Sequence, residues 1–207
     1  QRQMCIRDSI IDKRWPAGVC EALVPAPCRA TCPAEVNVPI YVAHIAEGEY
    51  KQALAVHRES NPFPAICGRV CPAFCETRCR RGELDEPVAI RTLKRFMVDQ
   101  EGEKWEPQIL EDEKEHSIAV VGGGPSGLTA ALRLAQKGYQ VTIFEAKPKP
   151  GGVLRYGVPS YRFSEEFLDK EIDDVKYLGV EIKCNSPIAG KEGAEKLLKE
   201  GYSAVFL

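Results

Sequence analysis

Four cysteines at a strict interval of four, Cys67, Cys71, Cys75 and Cys79, fall in the stretch 67-CGRVCPAFCETRC-79. Four thiols in thirteen residues point to a ligand, because the thiolate is the form of cysteine that binds metals. Three more, Cys20, Cys28 and Cys32, lie upstream, while Cys5 and Cys184 stand outside the group. A disulfide framework belongs to shorter secreted chains with an even cysteine count, so the nine cysteines here favour metal ligation. A cysteine stripe on one helix face would also give an interval of four. Gly68 and Pro72 interrupt such a helix, leaving room for two of the cysteines to share a turn near 74–80. Structural zinc is the alternative, but its paired C-x2-C knuckles are missing and the cysteines outnumber one zinc site. Iron–sulfur clusters fit better: 28-CRATCP-33 carries the C-x3-C-P ending of bacterial ferredoxin motifs, and 71-CP-72 echoes it. Arg29, Arg69, Arg78, Arg80 and Arg81 supply positive charge in the same segments, as an anionic cluster requires.

The second chemical signature is 122-GGGPSG-127, in which Gly122, Gly124 and Gly127 fill G-x-G-x-x-G. The first glycine permits a tight turn, the second lets backbone approach a pyrophosphate, and the third lets helix and strand pack closely. Pro125 and Ser126 open the helix whose N-terminus favours phosphate charge. Glu145 ends the next strand, 18 residues after Gly127, where its carboxylate can accept hydrogen bonds from ribose hydroxyls. These residues suit FAD and NAD equally. The following 151-GGVLRYGVPSYR-162 offers a second glycine pair, with Gly152, Val153 and Leu154 expected near the flavin side of a cofactor.

The elements that must position these residues divide the chain. Residues 1–15 match no helix or strand period and are set aside as a leader or artefact. Residues 16–115 are expected to form an all-helical iron–sulfur domain ending in a polar linker over 103–115. Within it, the proline-rich 16–34 reads as loop, and helices are expected over 38–48, 49–60 and 87–102. Pro87 suits the first turn of the last helix, and Ile90, Leu93, Lys94 and Met97 mark its inner face. Residues 116–207 are expected to form a partial Rossmann-type domain with a parallel sheet. There, 118–124 and 140–146 read as buried strands around a helix over 126–138, and 203–207 as another buried strand. The fold class is thus α plus α/β.

Composition narrows the partners. Across 207 residues, 44% apolar and 28% charged content fits a soluble globular protein, and the net charge of −2 argues against nucleic acid. No apolar run approaches the ~18 residues of a membrane-spanning helix, and no secretory leader is visible, so a cytoplasmic protein is expected.

From about Pro27 onward the chain resembles the glutamate synthase small-subunit family and the related amino-terminal part of dihydropyrimidine dehydrogenase. The resemblance rests on CRATCPAEVNVPIYVAHIAEGEYKQAL, NPFPAICGRVCPAFCETRC, EPVAIRTLKRF, VVGGGPSGLTAA and PGGVLRYGVPSYRF. It implies two 4Fe–4S clusters, FAD, an NAD(P)H-binding domain beyond this segment, and electrons passed to a redox partner subunit or domain. The family's first motif runs C-x2-C-x4-C-x3-C-P; Cys20, Cys28 and Cys32 match it, but Leu23 replaces the second cysteine. Cys67 is an additional thiol in the second motif, expected to replace the missing ligand, with a non-cysteine group or water in the eighth position. The resemblance also implies that the segment is C-terminally truncated and inactive alone toward NAD(P)H. No catalytic acid or base is assigned, and His44, His57 and His116 are expected in packing or surface roles. A zinc-stabilised interaction module joined to a nucleotide-binding domain, or a Rossmann domain using NAD directly, are the competing readings.

Overall fold

A computed structural model describes residues 25–100 and 105–207. The chain divides into two compact units, Gln1–Gly102 and Glu103–Leu207. Cys5, Cys20 and the leader segment lie outside the described residues.

The described part of the first unit is helical: α1 (Pro27–Thr31), α2 (Val38–Ala46), α3 (Tyr50–Ser60), α4 (Pro64–Val70), α5 (Phe74–Thr77) and α6 (Ile90–Asp99). A single 3₁₀ turn spans Arg80–Glu83. Proline stands in the first turn of α1, α2 and α4, where its missing N–H costs no hydrogen bond. Between α2 and α3 the chain reverses through Gly48, whose φ of +76° is the left-handed geometry that ends helices. Tyr41, Leu54, Ile90 and Met97 are fully buried and make the centre of this unit. Helix α4 meets α6 at Gly68, where an added Cβ would stand 2.9 Å from the Arg95 backbone. A side chain there would force the two helices apart.

Three details differ from the sequence reading. The proline- and cysteine-rich segment is not all loop, since α1 carries Cys28. Cys75 alone lies in α5, and Cys79 follows in extended backbone, so the two do not share a helical turn. Helix α6 begins at Ile90 rather than around Pro87, because its start is fixed across space: the Arg91 amide donates to Glu76 Oε1 at 2.7 Å. A carboxylate from α5 thereby satisfies one of the free amides of the α6 N-terminus. The expected inner face holds, with Ile90, Lys94 and Met97 buried and Leu93 half-buried.

The second unit contains β1 (Ser117–Val121), α7 (Pro125–Gln136), β2 (Gln140–Phe144), α8 (Val153–Tyr156), α9 (Glu165–Tyr177), β3 (Glu181–Lys183), α10 (Gly190–Lys199) and β4 (Ala204–Phe206). Its strands are all parallel, in the order β3-β2-β1-β4, with Ser117 opposite Gln140 and Ile118 opposite Ala204. This is the 3-2-1-4 half of a doubly wound sheet, whose ligands bind beyond the carboxyl ends of the strands where the order reverses. Ile118, Ala119 and Val120 are buried, as a central parallel strand requires. The segment expected as linker runs along this unit: the Leu110 amide donates to Gln136 O at 2.7 Å, and the Lys114 amide to Gly138 O at 2.8 Å. Gly138, at φ +80°, closes α7 where an added Cβ would lie 2.2 Å from the Asp112 carbonyl oxygen. Among the described residues strand β4 pairs only with β1, and Ala204 and Phe206 are exposed.

Candidate functional site

In the first unit, interruptions between helices set the cysteines. Cys28 lies in the first turn of α1, and Cys32 follows its end in extended backbone. Cys67 sits within α4, Cys71 just past it, Cys75 in α5, and Cys79 before the 3₁₀ turn. All six thiols are free, and Cys75 is buried. Ala73, between Cys71 and Cys75, takes a left-handed φ of +59° and donates its amide to Cys71 Sγ at 3.4 Å. Asn61 Nδ2 donates to Cys67 Sγ at 3.1 Å.

Five of the thiols act on one another electrostatically. Burial raises the Cys28 thiol above its ordinary value, two backbone amides oppose the rise, and Cys79 and Cys32 add to it. Burial likewise raises Cys75, Lys94 pulls it down, and Cys71, Glu76 and Cys32 push it up. Tyr41, which is fully buried, has its phenol raised by burial first, then by Cys75, Cys28 and Cys32. Cys75, Cys28 and Cys32 therefore lie within electrostatic reach of Tyr41, and Cys67 lies on α4 with Asn61 as its donor. So many potential thiolates around an apolar core are costly unless a cationic centre binds them.

Among the described residues, the only group of three or more ligand atoms within 4.8 Å of one another is His44, Glu47 and Glu49. There His44 Nδ1 lies 2.6 Å from Glu49 Oε2 across the α2–α3 turn.

The histidines have local roles. His57 is fully buried, its Nδ1 lies 2.9 Å from Asn61 O, and burial, reinforced by Lys94, lowers its pKa to about 3. The imidazole is neutral, with Nδ1–H donating to that carbonyl. His116 lies 3.3 Å from Ser203 Oγ at the exposed start of β1.

In the second unit, the glycine loop sits at the carboxyl end of β1. Gly122 turns the chain at φ +96° while its amide still donates to Phe144 O at 2.8 Å. Gly124 caps α7, Pro125 begins it, and Ser126 is exposed there. A Cβ on Gly127 would stand 1.9 Å from the Gly122 carbonyl oxygen, so only glycine lets the helix pack on the turn. Glu145 is buried at the end of β2 and accepts from the Gly123 amide at 2.7 Å and the Lys147 amide at 2.8 Å. Its carboxylate thus braces the loop from within.

The second glycine pair closes on the first. Gly151 donates its amide to Gly123 O at 2.7 Å. Gly152, at φ +51°, would place a Cβ 2.8 Å from Gly124 Cα. Leu154 is buried behind the pair, while Val153 faces outward and is exposed. Gly122, Gly124, Gly127, Glu145 and Gly152 are brought together as one cradle that any added methyl at Gly127 or Gly152 would fill.

Sequence reasoning missed three residues that shape these sites. Gly123 occupies a free position of the motif, yet an added Cβ would meet Pro150 at 2.9 Å. Arg155 was quoted within the second glycine segment without a role. Its side chain is only 3% exposed and pairs with Glu165 and Asp169, while Nε donates to Pro150 O at 2.7 Å. Arg91 Nη1 donates to Cys71 O at 3.1 Å, tying α6 to the cysteine segment. A lone arginine on a helix carries no local pattern that reveals such partners.

Residues 15–105 match the family described as dihydropyrimidine dehydrogenase domain II, 4Fe-4S cluster, and residues 120–165 match the NAD(P)-binding Rossmann-like domain. The chain is 40% identical to the NADP(+)-dependent formate dehydrogenase subunit beta of Moorella thermoacetica, over 89% of this chain and 29% of that protein. It is 38% identical to the NAD-dependent dihydropyrimidine dehydrogenase subunit PreT homolog of Salmonella typhi, over 88% of this chain and 45% of that protein. With the glutamate synthase [NADPH] small chain of Mycobacterium tuberculosis the identity is 33%, over 87% of this chain and 37% of that protein. The fold and the two sites therefore define an iron–sulfur domain followed by a nucleotide-binding Rossmann domain. Over nearly nine-tenths of its own length the chain shares the family of these beta subunits, PreT and the glutamate synthase small chain. It spans less than half the length of each of these relatives.

Proposed function

We propose that this chain is the electron-transfer portion of an NAD(P)H-dependent flavin and iron–sulfur oxidoreductase. In this reading the glycine cradle holds FAD, and the cysteines hold two 4Fe–4S clusters that pass electrons to a partner subunit or domain in the cytoplasm. The observation that carries it is the match of residues 15–105 to a 4Fe-4S family, with Cys28, Cys32, Cys71, Cys75 and Cys79 as free thiols at and between the short helices of that segment. Cys20 and Cys67 complete the proposed set of seven. The relatives, each named as a subunit or chain of an oxidoreductase, support a partner, and among the described residues no helix is long and apolar enough to cross a membrane.

The chain's own residues do the binding and orienting. The flavin and the clusters, when bound, supply hydride acceptance and one-electron transfer. Gly122 turns the chain, and Gly124, Ser126 and Gly127, with Pro125 opening α7, offer backbone amides and a positive helix end to the pyrophosphate. Glu145 is the acceptor for ribose hydroxyls, and Gly152, Val153 and Leu154 cover the flavin side. Ala73 and Asn61 aim N–H groups at sulfur, a contact that steadies anionic thiolate.

Anaerobic purification tests this reading. A brown protein whose iron equals its acid-labile sulfide, releasing yellow flavin on denaturation, is the expected result. Colourless protein containing stoichiometric zinc would overturn it. Unchanged cluster spectra and iron content in Cys67→Ser would remove Cys67 from the ligand set.

A further inference from the structure

Lys94 is a charged residue buried in the apolar part of the first unit. It lies on α6 among Ile90 and Met97, and only 5% of it is exposed. Buried ammonium groups are paired with an anion or with a metal-bound group, since an uncompensated charge in an apolar core is costly. Among the described residues no carboxylate pairs with Lys94. The nearby carboxylate on α5, Glu76, accepts instead from the Arg91 amide. His57, also facing Lys94, is neutral and cannot serve as its counter-ion.

Helix α6, which carries Lys94, is fixed against the cysteine segment. Two anchors tie it there, Arg91 Nη1 on Cys71 O and the Arg91 amide on Glu76, the neighbour of Cys75, and Tyr41 Oη donates to Ile90 O at 3.5 Å. Gly68 allows α4 to touch α6 at Arg95, next to Lys94. Position 94 is one turn beyond Arg91 and on the buried side of the same helix. Its pull on the Cys75 thiol agrees with that placement.

We propose that Lys94 is the buried counter-charge of the iron–sulfur centre ligated by Cys75, and that it holds that centre's reduction potential up. The inference rests on the cluster reading given above. Each electron accepted makes the thiolate-ligated core more negative by one charge. A fixed cation beside it favours the reduced form, and the low-dielectric surroundings of α6 keep the interaction from being screened. Lys94 thereby acts as a tuning residue: it makes the Cys75-ligated centre the easier one to reduce, and so a sink for electrons arriving from a flavin.

The test is a redox titration of the cluster-loaded, full-length protein, followed by electron paramagnetic resonance. Lys94→Met removes the charge at nearly constant volume, Lys94→Arg retains it, and Lys94→Gln serves if the methionine variant does not fold. The expected result is a downward shift of one centre's midpoint in the methionine or glutamine variant, with iron content unchanged and the arginine variant close to wild type. An unshifted midpoint in the neutral variant overturns the proposal. So does an equal shift in the arginine variant, which would trace the effect to packing rather than charge. Wild-type protein that holds no iron–sulfur cluster would sink the underlying reading instead, and is recognised before any variant is compared.

Discussion

Substituting Gly127 by alanine sets two effects of opposite sign against each other, and the structure decides between them. In an ordinary helix interior, alanine is better than glycine by about 1 kcal/mol. At Gly127 the new Cβ would stand 1.9 Å from the Gly122 carbonyl oxygen and 3.2 Å from Val120 Cγ1, so the obstacle is backbone rather than a movable side chain. Restoring a tolerable contact displaces the Gly122 carbonyl by roughly 1 Å, a distortion in the range of core overpacking that costs about 1–3 kcal/mol. That same displacement disturbs the Gly122 amide bond to Phe144 O and tilts the α7 N-terminus away from the phosphate position. The expected outcome is a net loss of about 1–2 kcal/mol in urea unfolding and at least ~10-fold weaker dinucleotide binding, which corresponds to ~1.4 kcal/mol. Gly48→Ala is the matched control: it has a left-handed φ of +76° but open space around its Cβ, so it costs backbone strain without touching the cradle. Gly127→Ala protein as stable as wild type, with unchanged affinity for FAD, would refute the reasoning.

Two further outcomes follow from other parts of the molecule. Arg155→Ala removes the hydrogen bond to Pro150 O and the pairing with Glu165 and Asp169. Both carboxylates are more than half exposed, which discounts their share, so an overall loss of about 1–2 kcal/mol and weaker dinucleotide binding are expected, measured by unfolding and flavin fluorescence. Arg155→Lys restores little, because an ammonium cannot reproduce the fork, and unaltered affinity in both variants would contradict the clamp. His57 predicts an acid sensitivity of the first unit. Its folded pKa of about 3 lies below the ordinary 6.5, because burial and then Lys94 disfavour its charge. The unfolded chain therefore binds the proton more readily, so this contribution is complete above pH 6.5 and is lost as pH falls toward 3, by up to about 1.4 kcal/mol per unit. Urea unfolding of wild type and His57→Gln across that window should differ in slope, and parallel profiles would show that the imidazole is not buried neutral.

Legibility from sequence tracked how local each cause was. The β1–α7–β2 unit was readable because an apolar run, three glycines and a closing Gly138 are all short-range signals. Strand β4 has the same apolar look as β1, but its exposure depends on what pairs beside it, which no local pattern records. In the first unit, residue types identified the chemistry while arrangement stayed hidden. Helix α1 is five residues long and too short to hold itself in water, so its formation rests on tertiary packing that a proline-rich segment does not advertise. The start of α6 was misplaced for a related reason, since Glu76 from another helix satisfies its amide. Lys94 was visible as a charged member of an apolar stripe; that it is buried there shows only in the fold.

Ala73 shows how far the cysteine segment is built around its sulfurs. An alanine at φ +59° pays roughly 1 kcal/mol or more that glycine would avoid, and a left-handed non-glycine residue persists only where its surroundings hold it. Here the methyl is buried at 5% exposure and contributes to the core, while the turn aims the Ala73 amide at Cys71 Sγ. Pro72 fixes the backbone just before it, so the amide direction is set before any ligand arrives. The same economy recurs in the second unit, where Glu145 holds Gly123 and Gly151 holds it again from the other side. In both units, left-handed or sterically locked turns fix where a backbone amide points: at Cys71 Sγ in the first, and at the Glu145 carboxylate in the second. A turn locked in this way is preorganised, so no ordering cost is left for whatever it holds.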